Sequence, residues 1–502
     1  MFPTLDDLRR EAKRLRKAHA RGDRAALGRL AAHPPRSFDD PLKHADFLHV
    51  VARENGFESW PRLKFAAETH GLDRAARQQR LKVALFHGQN WAVERLLAET
   101  PDLAAGLLGL EVALYDRQAV ERAIGRDPAA ATRQLGPRAP ILHLAFSRHI
   151  HAAPQKRSDM LAIAMLLIAN GADVNDSYSP EPGSPHRLSA LYGALGHANN
   201  LVLAEWLLEH GADPDDEESL YHSTELGHHD GLKLLMRHGV RVQGTNALAR
   251  MLDFDDPEGV RLLLEYGADP NEVVPDHPSG EPVPRIPALH QAARRMRNGR
   301  FVTLLLDHGA DPGTIWQGHT AYALARIYGN ADFAQTLEGA GHASGLDPVE
   351  QVLADCAEGR VTGKLTAATM RPEDRSILTR VITFPGRLAH AKALVAAGID
   401  PETTEEMDLT PLHIAVWTGL VRHAEWLIGL GADLHHRNAF GGDALETCIH
   451  GSENAPKRPE FDHVGCARLL LAAGAPLTPH VARAAGDPEM SAFLEDWLDQ
   501  TS

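Results

Sequence analysis

The feature that most constrains this chain is a repeated tripeptide. "GAD" stands at Gly171, Gly211, Gly267, Gly309 and Gly431, with variants "GVR" at Gly239, "GID" at Gly398 and "GAP" at Gly474. Each glycine closes an apolar run such as "MLLIAN", "EWLLEH", "RLLLEY" or "TLLLDH", and Gly398 and Gly431 are 33 residues apart. A second marker opens the units: "TPLHIA" at Thr410, "PALHQA" at Pro287, "SALYGA" at Ser189 and "TAYALA" at Thr320. "PILHLA" at Pro140 lies further from its glycine, because "SRHIHAAPQKRSD" is inserted between the two. Units this short hold two antiparallel helices, and one pair cannot bury its apolar face without neighbours. Length alone would suggest three or four domains; the period points to a stacked array.

This pattern resembles the ankyrin repeat, with its 33-residue period and T-P-L-H-x-A signature. The resemblance covers about residues 75 to 500 and implies an all-α solenoid of stacked helix-turn-helix repeats with hairpin-like finger loops. The expected division is an N-terminal helical module over 1–72, a first half of the array over 73–341, degenerate repeats or a junction over 342–397, and repeats with a C-terminal cap over 398–502. Within one unit, Thr410 is placed to cap a helix and Pro411 fits its first turn, where an amide hydrogen is not needed. Gly419 and Gly431 then end the two helices. The resemblance implies that His413, His290 and His143 are structural hydrogen-bonding residues.

Charge and cysteine usage exclude several classes. With 52 Lys and Arg against 67 Asp and Glu, the net charge of −15 does not suit a surface built to neutralise phosphates, so no nucleic-acid partner is expected. The three cysteines, Cys356, Cys448 and Cys466, form no C-x-x-C pair, which points to a reducing compartment. The start "MFPTLDDLRREAK" is charged at once, and no apolar run reaches the roughly 18 residues that span a bilayer. A cytoplasmic protein without a membrane partner is the expectation.

Histidine is abundant, but its spacing is poor for chemistry. His149 and His151 form an H-x-H in the inserted loop, His228 and His229 sit at a helix-helix turn, and His435 and His436 lie near a finger. Neighbouring side chains on extended backbone point apart, so such pairs rarely chelate one ion. No metalloprotease, nucleophile-elbow or P-loop pattern occurs. No cofactor, metal or catalytic residue is expected; an enzyme or metal protein using these histidines is the alternative, and a structural assembly role through the N-terminal module is a third.

The family tends to bind partners with its finger tips and the adjoining first-helix surface. Aligning the units places Trp316 and Gln317, Glu406 and Met407, and Phe440 at turn tips. Tyr178 falls in the inserted finger "VNDSYSPEPGSPHR", which, like "NEVVPDHPSGEPVPRIP" from Asn271, is expected to be irregular and exposed. These six residues are the expected contacts for another protein, since large side chains contribute disproportionately to interfaces. The function expected is therefore a non-catalytic scaffold binding a protein partner through its concave face and fingers.

The first 70 or so residues are different material. Leu5, Leu8, Ala12, Leu15 and Ala18 make one helical stripe flanked by Arg and Lys, and Ser59 with Pro61 reads as a helix start. The module resembles helical segments that precede ankyrin arrays in some bacterial proteins. Its basic stripe suits either water or an acidic surface, the array itself included.

Overall fold

The computed structural model describes residues 2–34, 42–181, 183–184, 186–273, 285–405 and 407–501. Its repeating unit follows from the punctuation in the sequence. Thr410 has extended backbone and accepts the His413 N–H at its hydroxyl, and helix Pro411–Thr418 follows with proline in its first turn. Gly419 ends that helix at φ +84°, a conformation that costs glycine little. Helix Val421–Gly429 returns antiparallel and buries Ala424 and Leu427. The next unit opens at Asp443, whose carboxylate and that of Glu446 close a capping box before helix Ala444–Asn454. Pro411–Thr418 packs along both Val421–Gly429 and Ala444–Asn454. The neighbouring unit thus completes the core, and the architecture is an all-α repeat solenoid.

The chain divides into two compact units. The first combines Met1–His70, Gln317–Ala334 and Ala343–Ser502. It begins with helices Leu5–Ala20, Arg24–Ala32, His44–Glu54 and Trp60–Thr69. Leu8, Ala12 and Leu15 bury one stripe of the first helix against Phe47, Leu48 and Val51. Its basic face meets the last helix, Pro488–Thr501, where Arg16 pairs with Asp496 and Lys13 lies 3.4 Å from Glu495. Ser59 occupies the expected cap position with extended backbone, but its side chain makes no capping bond. Further along, Asp347 and Glu350 form a capping box for helix Pro348–Ala357, which packs between Ala321–Tyr328 and Leu388–Ala397.

The second unit combines Gly71–Trp316 and Gln335–His342. Helix pairs Arg74–His87 with Asn90–Glu99, Leu108–Ala113 with Arg117–Arg126, and Pro140–Ala145 with Arg157–Ala169 carry its first part. The insertion after Pro140–Ala145 folds into two 3₁₀ turns, Arg148–His151 and Pro154–Lys156. The marker at Ser189 yields only a three-residue α-turn, Ala190–Tyr192, before a π-helical segment, Gly193–His197. Glycine is needed there: a Cβ on Gly193 would lie 2.5 Å from the Phe146 ring, and one on Gly196 would lie 2.7 Å from Tyr192.

The inserted finger from Val174 departs from the irregular, exposed loop that its composition predicts. Ser177–Tyr178 pairs antiparallel with Leu188–Ser189, the one strand pair among the described residues. Arg187 ties the two strands by donating from Nε to the Ser177 hydroxyl at 2.8 Å. Residues 274–284 of the other insertion lie outside the described residues.

Candidate functional site

Two consecutive fingers of the first unit present Met407 and Phe440, 39% and 77% exposed. Their backbones are stitched together: the Ala439 N–H donates to the Met407 carbonyl at 2.9 Å, and His436 Nε2 donates to the Asp408 carbonyl at 2.9 Å. Asn438 holds the second tip from below. Its carboxamide oxygen accepts the Phe440 and Gly442 N–H groups at 3.0 and 3.1 Å, while its nitrogen donates to Thr447 at 3.1 Å. Asp408 and Gly441 have positive φ, +53° and +78°, which turns the chain sharply at both tips. A buried polar residue thus fixes an exposed aromatic one, an arrangement that offers apolar surface with little conformational freedom left to lose.

The other expected contacts are placed less uniformly. Trp316 is half-buried, with Nε1 donating to the Arg285 carbonyl and its ring 6.2 Å from that of His290, so it leans on the preceding repeat. Gln317 is exposed at φ +49°. Ile315, 69% exposed in the same finger as Trp316, carries no signal in the sequence, where nothing distinguishes it from a core residue. Glu406 lies outside the described residues. Tyr178 is buried at 8% exposure, with its hydroxyl bonded to Arg138 and its ring 5.3 Å from Phe146. The strand pair draws it inward, which removes it from the exposed surface.

The histidines act mostly as ties. Thr410 donates its hydroxyl proton to His413 Nδ1 at 2.8 Å, His143 Nε2 donates to the Leu135 carbonyl at 3.2 Å, and His151 Nε2 donates to the Ala198 carbonyl at 2.7 Å. Burial brings the His143 and His149 pKa values down to about 4, which keeps both rings neutral. His228 bonds Asn199 at 3.1 Å and His229 bonds Asp256 at 2.6 Å, across a pair of adjacent turns. His435 is exposed. Among the described residues no group of three or more His, Cys, Asp or Glu is arranged to hold a metal ion.

Two ionic clusters centre on histidine, the first joining residues far apart in sequence and the second mostly local. His319 Nδ1 and Nε2 lie 2.7 Å from Glu350 and 2.8 Å from Asp374, all three nearly inaccessible, with Arg371 3.7 Å from both carboxylates. His222 lies 2.8 Å from Glu225 and 3.1 Å from Glu218, and His186 lies 3.2 Å from the other Glu218 oxygen. The Asp347–Glu350 capping box is visible as D-x-x-E, but its partners come from other repeats and no local signal announces them.

A repeat solenoid with exposed finger tips is the class this geometry defines. The comparisons then specify the repeat: a family model described as "Ankyrin repeats (3 copies)" matches residues 191–273, and one described as "Ankyrin repeat" matches residues 407–439, the segment that carries the Met407 finger. The chain is similar to human "Ankyrin repeat and SOCS box protein 16", 34% identical over 133 residues, 26% of this chain and 28% of that protein. It is also similar to human "Protein phosphatase 1 regulatory subunit 27", 38% identical over 80 residues, 16% of this chain and 51% of that protein. Bovine "Dynein axonemal heavy chain 12" is 34% identical over 135 residues, 24% of this chain and 37% of the relative. The chain therefore spans about half or less of each of these relatives. All three are mammalian, so the likeness of the N-terminal module to bacterial proteins has no counterpart among them.

Proposed function

We propose that this chain is a non-catalytic scaffold that binds another protein through its ankyrin fingers. The observation that carries this reading is the Met407–Phe440 pair: two large apolar side chains on consecutive tips, exposed, and buttressed by Asn438. Repeat arrays gain rigidity from stacking, and rigid tips bind without much ordering cost. Trp316 and Gln317, with Glu406, extend the proposed contact set. The relatives include a protein whose name marks it as a regulatory subunit, a role that is itself an interaction. Cytoplasmic residence belongs to the same reading, supported by three buried free cysteines and by the lack, among the described residues, of any helix long and apolar enough to cross a membrane.

The test is affinity capture from the native cell with the intact chain and with the Met407→Ala, Phe440→Ala double variant. Loss of the same captured proteins from the double variant, at unchanged thermal stability, supports the reading. Equal capture by both removes this surface from consideration.

A further inference from the structure

The second unit contains a cleft of about 830 Å³, inside the ~300–1,000 Å³ range of small-ligand sites. It lies along helix Arg74–His87, reaches helix Leu108–Ala113, and is overhung by the 133–139 finger that leads into Pro140–Ala145. The wall is built by close packing: the His143 imidazole lies 3.1 Å from where a Cβ on Gly109 would be, and bonds the Leu135 carbonyl of the finger. A side chain at position 109 would press on the imidazole that ties this finger.

Its lining combines exposed apolar surface with cations. Val83 and Leu107 are exposed apolar residues at the mouth, and Phe86 beside them is half-buried. Lys82, Arg133 and Arg138 are the lining cations, against a single lining carboxylate, Asp127, which is already bonded to Arg133 at 2.6 Å. Arg138 is held in place with its guanidinium carbon 4.7 Å from the Phe86 ring centroid, 4.5 Å from that of Phe146 and 4.3 Å from that of Tyr178. Its buried Nε–H has no acceptor, and neither Arg138 nor Lys82 has a carboxylate partner among the described residues. In a chain of net charge −15 this is a positive island with an apolar floor. Such a surface complements a ligand that is acidic and apolar together. A nucleic acid would need a long track of cations and gain nothing from the floor.

We propose that this cleft binds an extended acidic segment of a partner protein, with a large apolar side chain seated against Val83, Leu107 and the half-buried Phe86 and flanking carboxylates reaching Lys82 and Arg138. The proposal rests on the scaffold reading but uses a surface separate from Met407 and Phe440.

The experiment is fluorescence anisotropy with the intact chain and three labelled short peptides: alternating Glu with Leu and Phe, the same with Lys for Glu, and the same with Ser for the apolar residues. The first should bind, more weakly as ionic strength rises. Lys82→Glu and Leu107→Ser, both exposed and outside the aromatic cluster, should each weaken it by about tenfold or more at unchanged circular dichroism. Binding of the lysine or serine peptide as tightly as the first, binding of none, or displacement of the first by a DNA duplex overturns the proposal. Capture lost in the Met407, Phe440 double variant while all peptides fail would leave the scaffold reading standing and remove only the cleft. Peptide binding with capture unaffected would support the cleft and remove only the Met407, Phe440 surface.

Discussion

The His319 imidazole lies 2.7 Å from the Glu350 carboxylate, and the same carboxylate accepts the Asp347 N–H at 2.8 Å as half of a helix cap. One side chain thus joins a local helix start to a residue 31 positions earlier. Removing the imidazole leaves Glu350 and Asp374 buried, with Arg371 3.7 Å from each as their nearest cation. Breaking a buried ionic cluster from one side costs about 3 kcal/mol or more. His319→Leu should therefore lower the thermal midpoint clearly, whereas replacement of exposed His435 by Leu should not. Differential scanning fluorimetry of both variants checks this.

Stability should be greatest near neutral pH, with opposite groups responsible on the two sides. Burial alone would pull the His222 pKa down, but hydrogen bonds to Glu218 and Glu225 push it up to about 9. His319 is likewise raised, because Asp374 and Glu350 outweigh its burial. A raised folded-state value means that the stabilisation is fully present below the ordinary value near 6.5 and is lost as pH rises through the folded one. Burial takes His44, His143, His149, His197 and His390 down to about 4. Those rings must charge on unfolding, so their contribution is present above 6.5 and lost as pH falls toward 4. Urea midpoints across pH 4 to 9 should be bell-shaped, and His222→Gln should flatten the alkaline limb. An unchanged alkaline limb in that variant would contradict the assignment.

Glycine substitutions separate backbone strain from crowding. Gly309 has φ +86° with open space where a side chain would stand, and Gly309→Ala should cost about 1 kcal/mol. Gly398 has φ +123°, and its Cβ would come 2.3 Å from the Leu365 carbonyl oxygen. The backbone cannot give way there, because the Leu365 N–H donates to the Ala397 carbonyl at 2.7 Å. Gly398→Ala should cost about 2–3 kcal/mol more, since overpacking adds to strain. Denaturation curves of the two variants compare them directly.

The contact between the first and last helices should respond to salt. Arg16 and Lys13 pair with Asp496 and Glu495, and all four side chains are partly exposed. Such pairs contribute about 1 kcal/mol and are screened. Arg16→Glu should raise amide exchange in helices His44–Glu54 and Pro488–Thr501, and the wild type should approach it as ionic strength increases. Exchange mass spectrometry reads both.

Leu427 and Phe440 belong to successive repeats and should behave oppositely. Leu427 is fully buried in the stack, and Leu427→Ala should cost about 2–5 kcal/mol. Phe440→Ala should stay within about 0.5 kcal/mol, since the ring touches solvent. A stability loss from Phe440→Ala as large as that from Leu427→Ala would mean that the ring packs on its own repeat and cannot serve as a free anchor.

The order of helices and turns was legible because it depends on residues close in sequence. Thr410 with Pro411, Gly419 and Gly431 each act within one turn of chain, so their spacing alone specified helix starts and stops. The apolar runs specified what must be buried. What lies across repeats was decided by tertiary structure. Tyr178 reads as a loop residue until strand pairing carries it onto Phe146 and Arg138, and His319 meets Glu350 and Asp374 from distant parts of the chain. The 830 Å³ cleft joins residues from Gln79 to Ser147 that share no local pattern. Periodicity records which face a residue must bury, but the partner it meets there depends on how successive repeats stack, and that geometry is written in no single stretch of the chain.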